Sequence, residues 1–120
     1  MTVQQAITYA DAVKPNSFDN DTKVRWLNEA EGMVQTQVML ILPQDIVQYT
    51  YAEDANTVML VLPPHDKLYI AYLEARIDWS NGEYERYANT SALFNQFFDE
   101  FMRWYATVYN PAEAYQEGLI

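Results

Sequence analysis

The chain contains no cysteine, one histidine, three glycines and only seven basic residues among its 120. The lack of cysteine excludes disulfide scaffolds, thiolate zinc sites and thiol nucleophiles, and a lone His65 cannot form a paired-histidine metal site. No apolar run approaches the roughly 18 residues of a membrane span, and residues 1–10 lack a signal-peptide core. These absences predict one soluble, intracellular domain that uses no cofactor, metal or membrane.

Acidic residues far outnumber basic ones in the chain. Seventeen acidic residues give the chain a net charge of −10. Nonspecific binding to DNA, RNA or anionic membranes is built from Lys and Arg, so we expect none of these. No phosphate-binding loop, dinucleotide fingerprint, nucleophile elbow or H-E-x-x-H motif occurs. The sequence therefore predicts a protein without catalytic activity.

Four helices are predicted from their capping and breaking residues. Thr2 and Gln5 form a T-x-x-Q capping box for a helix over 3–13. Either Ser17 or Asp19 caps a second helix over 19–39. Pro64 lies in the first turn of the third, which stops at Asn81–Gly82. The fourth spans 83–109. The predicted fold is all-α, a small bundle of about four helices within a single domain, 1–110, followed by a tail, 111–120.

The tight turn at Asn81–Gly82 predicts that the long third and fourth helices form an antiparallel pair. Their apolar stripes, together with that of the second helix, define the predicted core. Its members are Trp26, Leu68, Tyr72, Trp79, Tyr84, Phe94, Phe98 and Phe101.

Residues 40–62 differ from the helical segments. Apolar runs at 38–42 and 58–62 flank a polar, tyrosine-bearing middle, and prolines bracket it. This pattern predicts an extended arm or β-hairpin inserted between the second and third helices. We expect the arm to project from the helical body and contact a neighbouring subunit.

Apolar surface exceeds what one small domain needs, because the third and fourth helices each carry two stripes where one would suffice. Surplus apolar surface on a small acidic chain favours self-association. The candidate subunit interface comprises Leu40, Leu42, Tyr49, Tyr51, Val58, Leu60, Leu62, Phe97 and Trp104.

Several stretches resemble a known family. Residues 60–70 (LVLPPHDKLYI) and 77–87 (IDWSNGEYERY) carry most of the likeness, and VRWL at 24–27, ALFN at 92–95 and RWY at 103–105 extend it. They resemble the head–tail connector, or head-completion adaptor, family of long-tailed phages and prophages of Gram-positive bacteria. Residues 43–57 and the tail have no counterpart in this pattern.

The resemblance implies a helical protein that assembles with itself into a ring under the portal protein and presents a platform to tail-side connector proteins. DNA would pass through the bore without being specifically bound. The implied location is the host-cell cytoplasm during assembly and then the head–tail junction of the virion. It implies no catalysis.

A repulsive bore would suit that passage, because acidic side chains keep a duplex off the wall. The candidate lumen acids are Asp45, Glu53, Asp54, Asp99 and Glu100. These acids would equally serve to keep an ordinary surface solvated. The alternative function is an acidic intracellular inhibitor or DNA mimic, which would be a monomer or dimer rather than a ring.

Overall fold

The computed structural model describes residues 1–108, and within them the protein is all-α, as predicted. The helices are α1 (Val3–Val13), α2 (Asn20–Met33), α3 (Tyr51–Asp54), α4 (Lys67–Ser80) and α5 (Tyr84–Val108). A π-helical turn, Val34–Val38, continues α2, and Pro43–Asp45 forms a 3₁₀ turn. The predicted tail, 111–120, lies outside the described residues.

The predicted caps account for where the first two helices begin. Thr2 and Gln5 form the complete capping box of α1. The Asp19 carboxylate accepts a hydrogen bond from the Thr22 N–H at 2.7 Å, which caps α2 and lowers the pKa of Asp19. Helix bounds set by such local bonds agree with the predicted ones to within a few residues.

Helix α4 is the central element. It packs against α1, α2 and α5, and it therefore buries residues on several sides. These are Leu68, Tyr69, Ala71, Leu73, Ala75, Ile77 and Asp78. The second apolar stripe of α4 is thus buried inside the fold, so this helix adds little to the surplus of exposed apolar surface expected from the sequence.

Helices α4 and α5 form the predicted antiparallel pair. Gly82, with φ of 73°, makes the turn between them in the left-handed region that favours glycine. Lys67 lies 3.8 Å from Glu100 at one end, and Thr90 donates to Asp78 near the other. Because α5 has 25 residues and α4 has 14, the last turns of α5 run past the start of α4.

The predicted core is correct in part. Trp26, Leu68, Phe94 and Phe101 are buried, and Tyr72 and Phe98 pack half-buried against them. Trp79 and Tyr84 are 48% and 60% exposed, so their assignment to the core was wrong. They lie at the α4–α5 turn, where their rings pack on each other and, for Trp79, on Tyr87 rather than under another helix.

The predicted projecting arm is also wrong. Residues 40–62 fold back on the helices, and within them Tyr49, Met59 and Val61 are buried in the core. The segment forms no hairpin; its one β-bridge joins Val58 to Thr2. The N–H groups of Val3 and Gln4 donate to backbone oxygens of residues 57 and 55. The segment therefore also provides acceptors for backbone N–H groups at the start of α1.

Candidate subunit interface

Two amide side chains, one on α2 and one on the π-helical turn that continues it, hold residues 46–49 in place. The Asn28 amide donates to the Tyr49 carbonyl and accepts from the Tyr49 N–H, both at 2.9 Å. Gln35, fully buried, does the same for Val47, at 3.0 and 2.8 Å. Each amide therefore replaces the neighbouring strand that an extended backbone would otherwise require.

A buried carboxylate, Glu31, lies between these two amides on the same helix face. It has no exposed surface and accepts hydrogen bonds from the Tyr49 hydroxyl (2.7 Å), the Leu60 N–H (2.9 Å) and the Tyr69 hydroxyl. Burial and the bonds to Glu31 raise the pKa of both tyrosine hydroxyls above their usual value. The three donors stabilise the buried charge and join α2, α4 and the 40–62 segment.

This network was not predicted from the sequence. Asn28, Glu31 and Gln35 recur at i, i+3 and i+7, which is the spacing of one helix face. They lie next to the apolar positions Leu27 and Val34. A polar stripe bordering an apolar one was the available signal that another segment docks there through hydrogen bonds.

An apolar groove lies where the docked segment meets the end of α5. Leu60, Leu62 and Pro63 form one wall, Met39 closes it, and the rings of Phe101, Trp104 and Tyr105 form the other. Its volume is about 260 Å³. The groove lies beyond the start of α4, where the last described turns of α5 extend past that helix.

His65 supports the aromatic wall of the groove. Its ring lies 5.1 Å from that of Trp104 and 5.8 Å from that of Phe101, measured between centroids. The backbone N–H of His65 also donates a hydrogen bond to the Leu62 carbonyl, at 3.0 Å, which fixes the backbone there. The single histidine therefore packs among aromatic rings as a wall residue.

A second exposed aromatic surface lies at the opposite end of the α4–α5 pair. We call Trp79, Tyr84 and Tyr87 the aromatic tip. The Trp79 ring lies 5.0 Å from each of the two tyrosine rings. Such a cluster of half-exposed aromatic rings is typical of protein–protein contact surfaces.

The structure separates the predicted interface residues into groups. Leu40, Leu42, Val58, Leu62 and Trp104 are exposed, whereas Leu60, Tyr51 and Phe97 are half-buried. Leu60, Leu62 and Trp104 come together at the groove. Tyr49 is 5% exposed and bonded to Glu31, so its assignment to an interface was wrong.

The five candidate lumen acids divide between two elements. Asp45, Glu53 and Asp54 lie in the 40–62 segment, and Asp54 accepts hydrogen bonds from Thr50 and Thr57. Asp99 pairs with Arg103 at 2.9 Å, and Glu100 lies 3.8 Å from Lys67. The two α5 acids are therefore partly neutralised, whereas Asp45 and Glu53 are exposed.

Residues 1–108 contain no group of three His, Asp or Glu side chains arranged to hold a metal ion. None of their helices has both the length and the apolar character needed to cross a membrane.

No family model, curated protein or solved structure matches this chain.

Proposed function

We propose that this chain is a structural head–tail connector of a phage or prophage. In this function its copies assemble into a ring between the portal protein and tail-side proteins, and DNA passes through the bore. The proposal joins the sequence resemblance of residues 60–70 and 77–87 to the surfaces that the fold leaves exposed.

The observation that carries the proposal is the pair of separate apolar surfaces on one acidic chain. Leu62 and Trp104 at the groove are exposed and lie outside the buried core of the described residues. The same holds for Trp79 and Tyr84 at the aromatic tip. Exposed apolar patches of this kind mark association sites. Two different patches on one copy suit a head-to-tail contact, which is the kind that generates rings.

Charge also favours assembly over DNA mimicry. A DNA mimic presents unpaired acids at phosphate-like spacing, whereas Asp99 and Glu100 lie beside Arg103 and Lys67. A connector needs only an excess of acids, so that DNA passes without being held. The net charge of −10 on each copy supplies that excess.

Light scattering and electron microscopy of the concentrated protein test the proposal. We expect closed, many-copy particles with a central opening, and no binding to duplex DNA at low salt. A protein that stays monomeric at every salt and protein concentration, and that captures a nucleic-acid-binding protein stoichiometrically, would be an inhibitor instead.

A further inference from the structure

We propose that copies of this chain join by exchanging their first two helices. In the exchanged form, residues 1–39 of one copy pack on residues 41–108 of the next, and residue 40 is the hinge between the two parts. The partner of each part is thus a second copy of this chain. The inference rests on the proposed function, to which it adds the contact that joins the copies.

The core is shared between these two parts of the chain. Helix α4 packs against both α1 and α2, and the buried cluster takes members from each part. Residues 1–39 contribute Val3, Ala6, Ile7, Ala10, Val24, Trp26, Leu27, Ala30 and Val34, and residues 41–108 contribute the others. Because the apolar face of α1 and α2 is buried only when the other part covers it, residues 1–39 require that cover from their own copy or from a second one.

Hydrogen bonds between the two parts make the fit specific. The Asn28 and Gln35 amides bond to backbone groups of the docked segment, and the Glu31 carboxylate accepts from the Tyr69 hydroxyl. A second copy offers identical partners at identical positions, so exchange keeps every one of these bonds. The fold itself therefore identifies the partner, since its two parts already fit each other.

The connection between the two parts is strained at one residue. Leu40 has a φ of 58°, in the left-handed region, and within residues 1–108 it is the only non-glycine residue with a positive φ. Its side chain is 78% exposed, so no packing compensates for that conformation. The Ile41 N–H donates to the Gln35 carbonyl at 2.8 Å, which shows how tightly the chain turns back there. An extended hinge relieves the strain and carries the rest of the chain to a second copy, and short strained hinges favour such exchange.

Exchange suits the assembly of an acidic chain. A ring forms when each copy gives its first two helices to the next copy, and this contact is head-to-tail. Each contact then buries core residues of the fold, which offsets the repulsion between copies that each carry −10.

Because the chain has no cysteine, introduced cysteines test the exchange directly. Thr2 and Val58 face each other in an antiparallel β-bridge, as a pair that hydrogen bonds flank rather than join. In such pairs the Cα atoms lie about 4.5 Å apart, which suits a disulfide. One chain carries Thr2→Cys and an isotope label, and the other carries Val58→Cys. The two chains are unfolded in urea, mixed, and refolded together at high concentration in a glutathione buffer.

We expect a disulfide between the two chains in the assembled fraction, because only exchange brings residue 2 of one copy opposite residue 58 of another. Val47→Cys replaces Val58→Cys in the control mixture. Val47 is also an exposed valine of the docked segment, but it does not lie opposite Thr2. We expect no enrichment of the mixed disulfide in that control.

Variants of the hinge test the role of the strain. Leu40→Gly should lower the ratio of exchanged to monomeric chains about tenfold, because glycine adopts a positive φ without strain. Leu42→Gly is the matched control, since Leu42 is also exposed but has an ordinary φ of −68°, and it should leave the ratio unchanged. Leu40→Pro should raise the ratio, because proline fixes φ near −65° and excludes the bend.

The remaining outcomes overturn the inference in distinguishable ways. Closed particles without the mixed disulfide would refute the exchange and leave the proposed function standing. The disulfide in dimers that never form a ring would support the exchange and overturn the proposed function. Equal yields from the Val58→Cys and Val47→Cys mixtures would show an unspecific link, and equal ratios for Leu40→Gly and Leu42→Gly would refute residue 40 as the hinge. Absence of both the disulfide and the particles would refute the inference and the proposed function together.

Discussion

Removing one hydroxyl from the buried network should destabilise the fold far more than its size suggests. In Tyr69→Phe the aromatic ring keeps its packing, and only the hydroxyl is lost. That hydroxyl donates to the Glu31 carboxylate and accepts from the Val61 N–H at 2.9 Å. Tyr69 has no exposed surface, so water cannot replace either bond without a rearrangement.

The magnitude follows from those two bonds. A hydrogen bond to a charged group contributes about 1.5–3 kcal/mol, and an orphaned buried N–H costs about 1–3 kcal/mol. Since neighbouring terms do not add fully, we expect a loss of about 3 kcal/mol in the free energy of unfolding. Domains of this size have only about 5–15 kcal/mol in total.

Tyr72→Phe is the matched control. Its hydroxyl donates to Glu29 at 2.6 Å, but that carboxylate is exposed and water can replace the bond. We expect a loss below about 1 kcal/mol. Urea unfolding followed by tryptophan fluorescence, with buried Trp26 as a reporter, measures both variants. With a slope near 2 kcal/mol/M, Tyr69→Phe should shift the midpoint by about 1.5 M. Equal midpoints for the two variants would refute the claim that the network stabilises the fold.

Four further outcomes are expected. Deleting Gln44–Asn56 should unfold the helices, because the segment contributes Tyr49 to the core; a deletion variant with native circular dichroism would contradict the docked segment. Stability should fall above about pH 10 by up to about 3 kcal/mol per pH unit, because the unfolded state then loses the Tyr49 and Tyr69 protons that the folded state retains; alkaline unfolding curves check the sign. Phe101→Ala should cost about 3–5 kcal/mol and half-exposed Trp79→Ala less than half of that, so equal melting temperatures would refute the burial pattern. The fraction of assembled copies should rise with salt, which screens the repulsion between acidic chains; light scattering that shows a decline would count against assembly by apolar contacts.

Helix positions were predictable because their causes are local. The Thr2–Gln5 capping box, the Asp19 cap and the Gly82 turn each depend on residues within a few positions of one another. These bonds form in the same way wherever the helix later packs. The antiparallel α4–α5 pair was predictable from the Gly82 turn, because so short a connection makes α5 fold back alongside α4.

The path of residues 40–62 could not be predicted from the same reasoning. Their two apolar runs resemble a hairpin, in which each extended segment pairs with the other. In the fold the pairing groups are instead the side chains of Asn28, Glu31 and Gln35, which are distant in the sequence. Strand patterns indicate that a backbone is extended but do not identify what satisfies its hydrogen bonds.

Periodicity also identifies a helix face without showing how far along the helix that face is covered. Trp79 and Tyr84 continue the stripes that hold Leu68 and Phe94, yet only the latter two are buried. At the other end of α5, Trp104 extends past α4 in the same manner. The apolar excess seen in the sequence is therefore concentrated at the two ends of the α4–α5 pair, although Leu93 near its middle is also exposed.

That distribution, combined with the charge, bears on the size of an assembly. A head-to-tail contact continues as an open chain unless the rotation between copies closes a ring. A closed ring of a given number of copies has one contact more than an open chain of the same number. Each copy carries −10, so repulsion opposes every contact and weakens it. That additional contact must be strong enough to outweigh the repulsion among the copies that closure brings together. The acidic charge therefore works against closure, apolar contacts must favour it, and added salt should raise the share of closed rings over open chains.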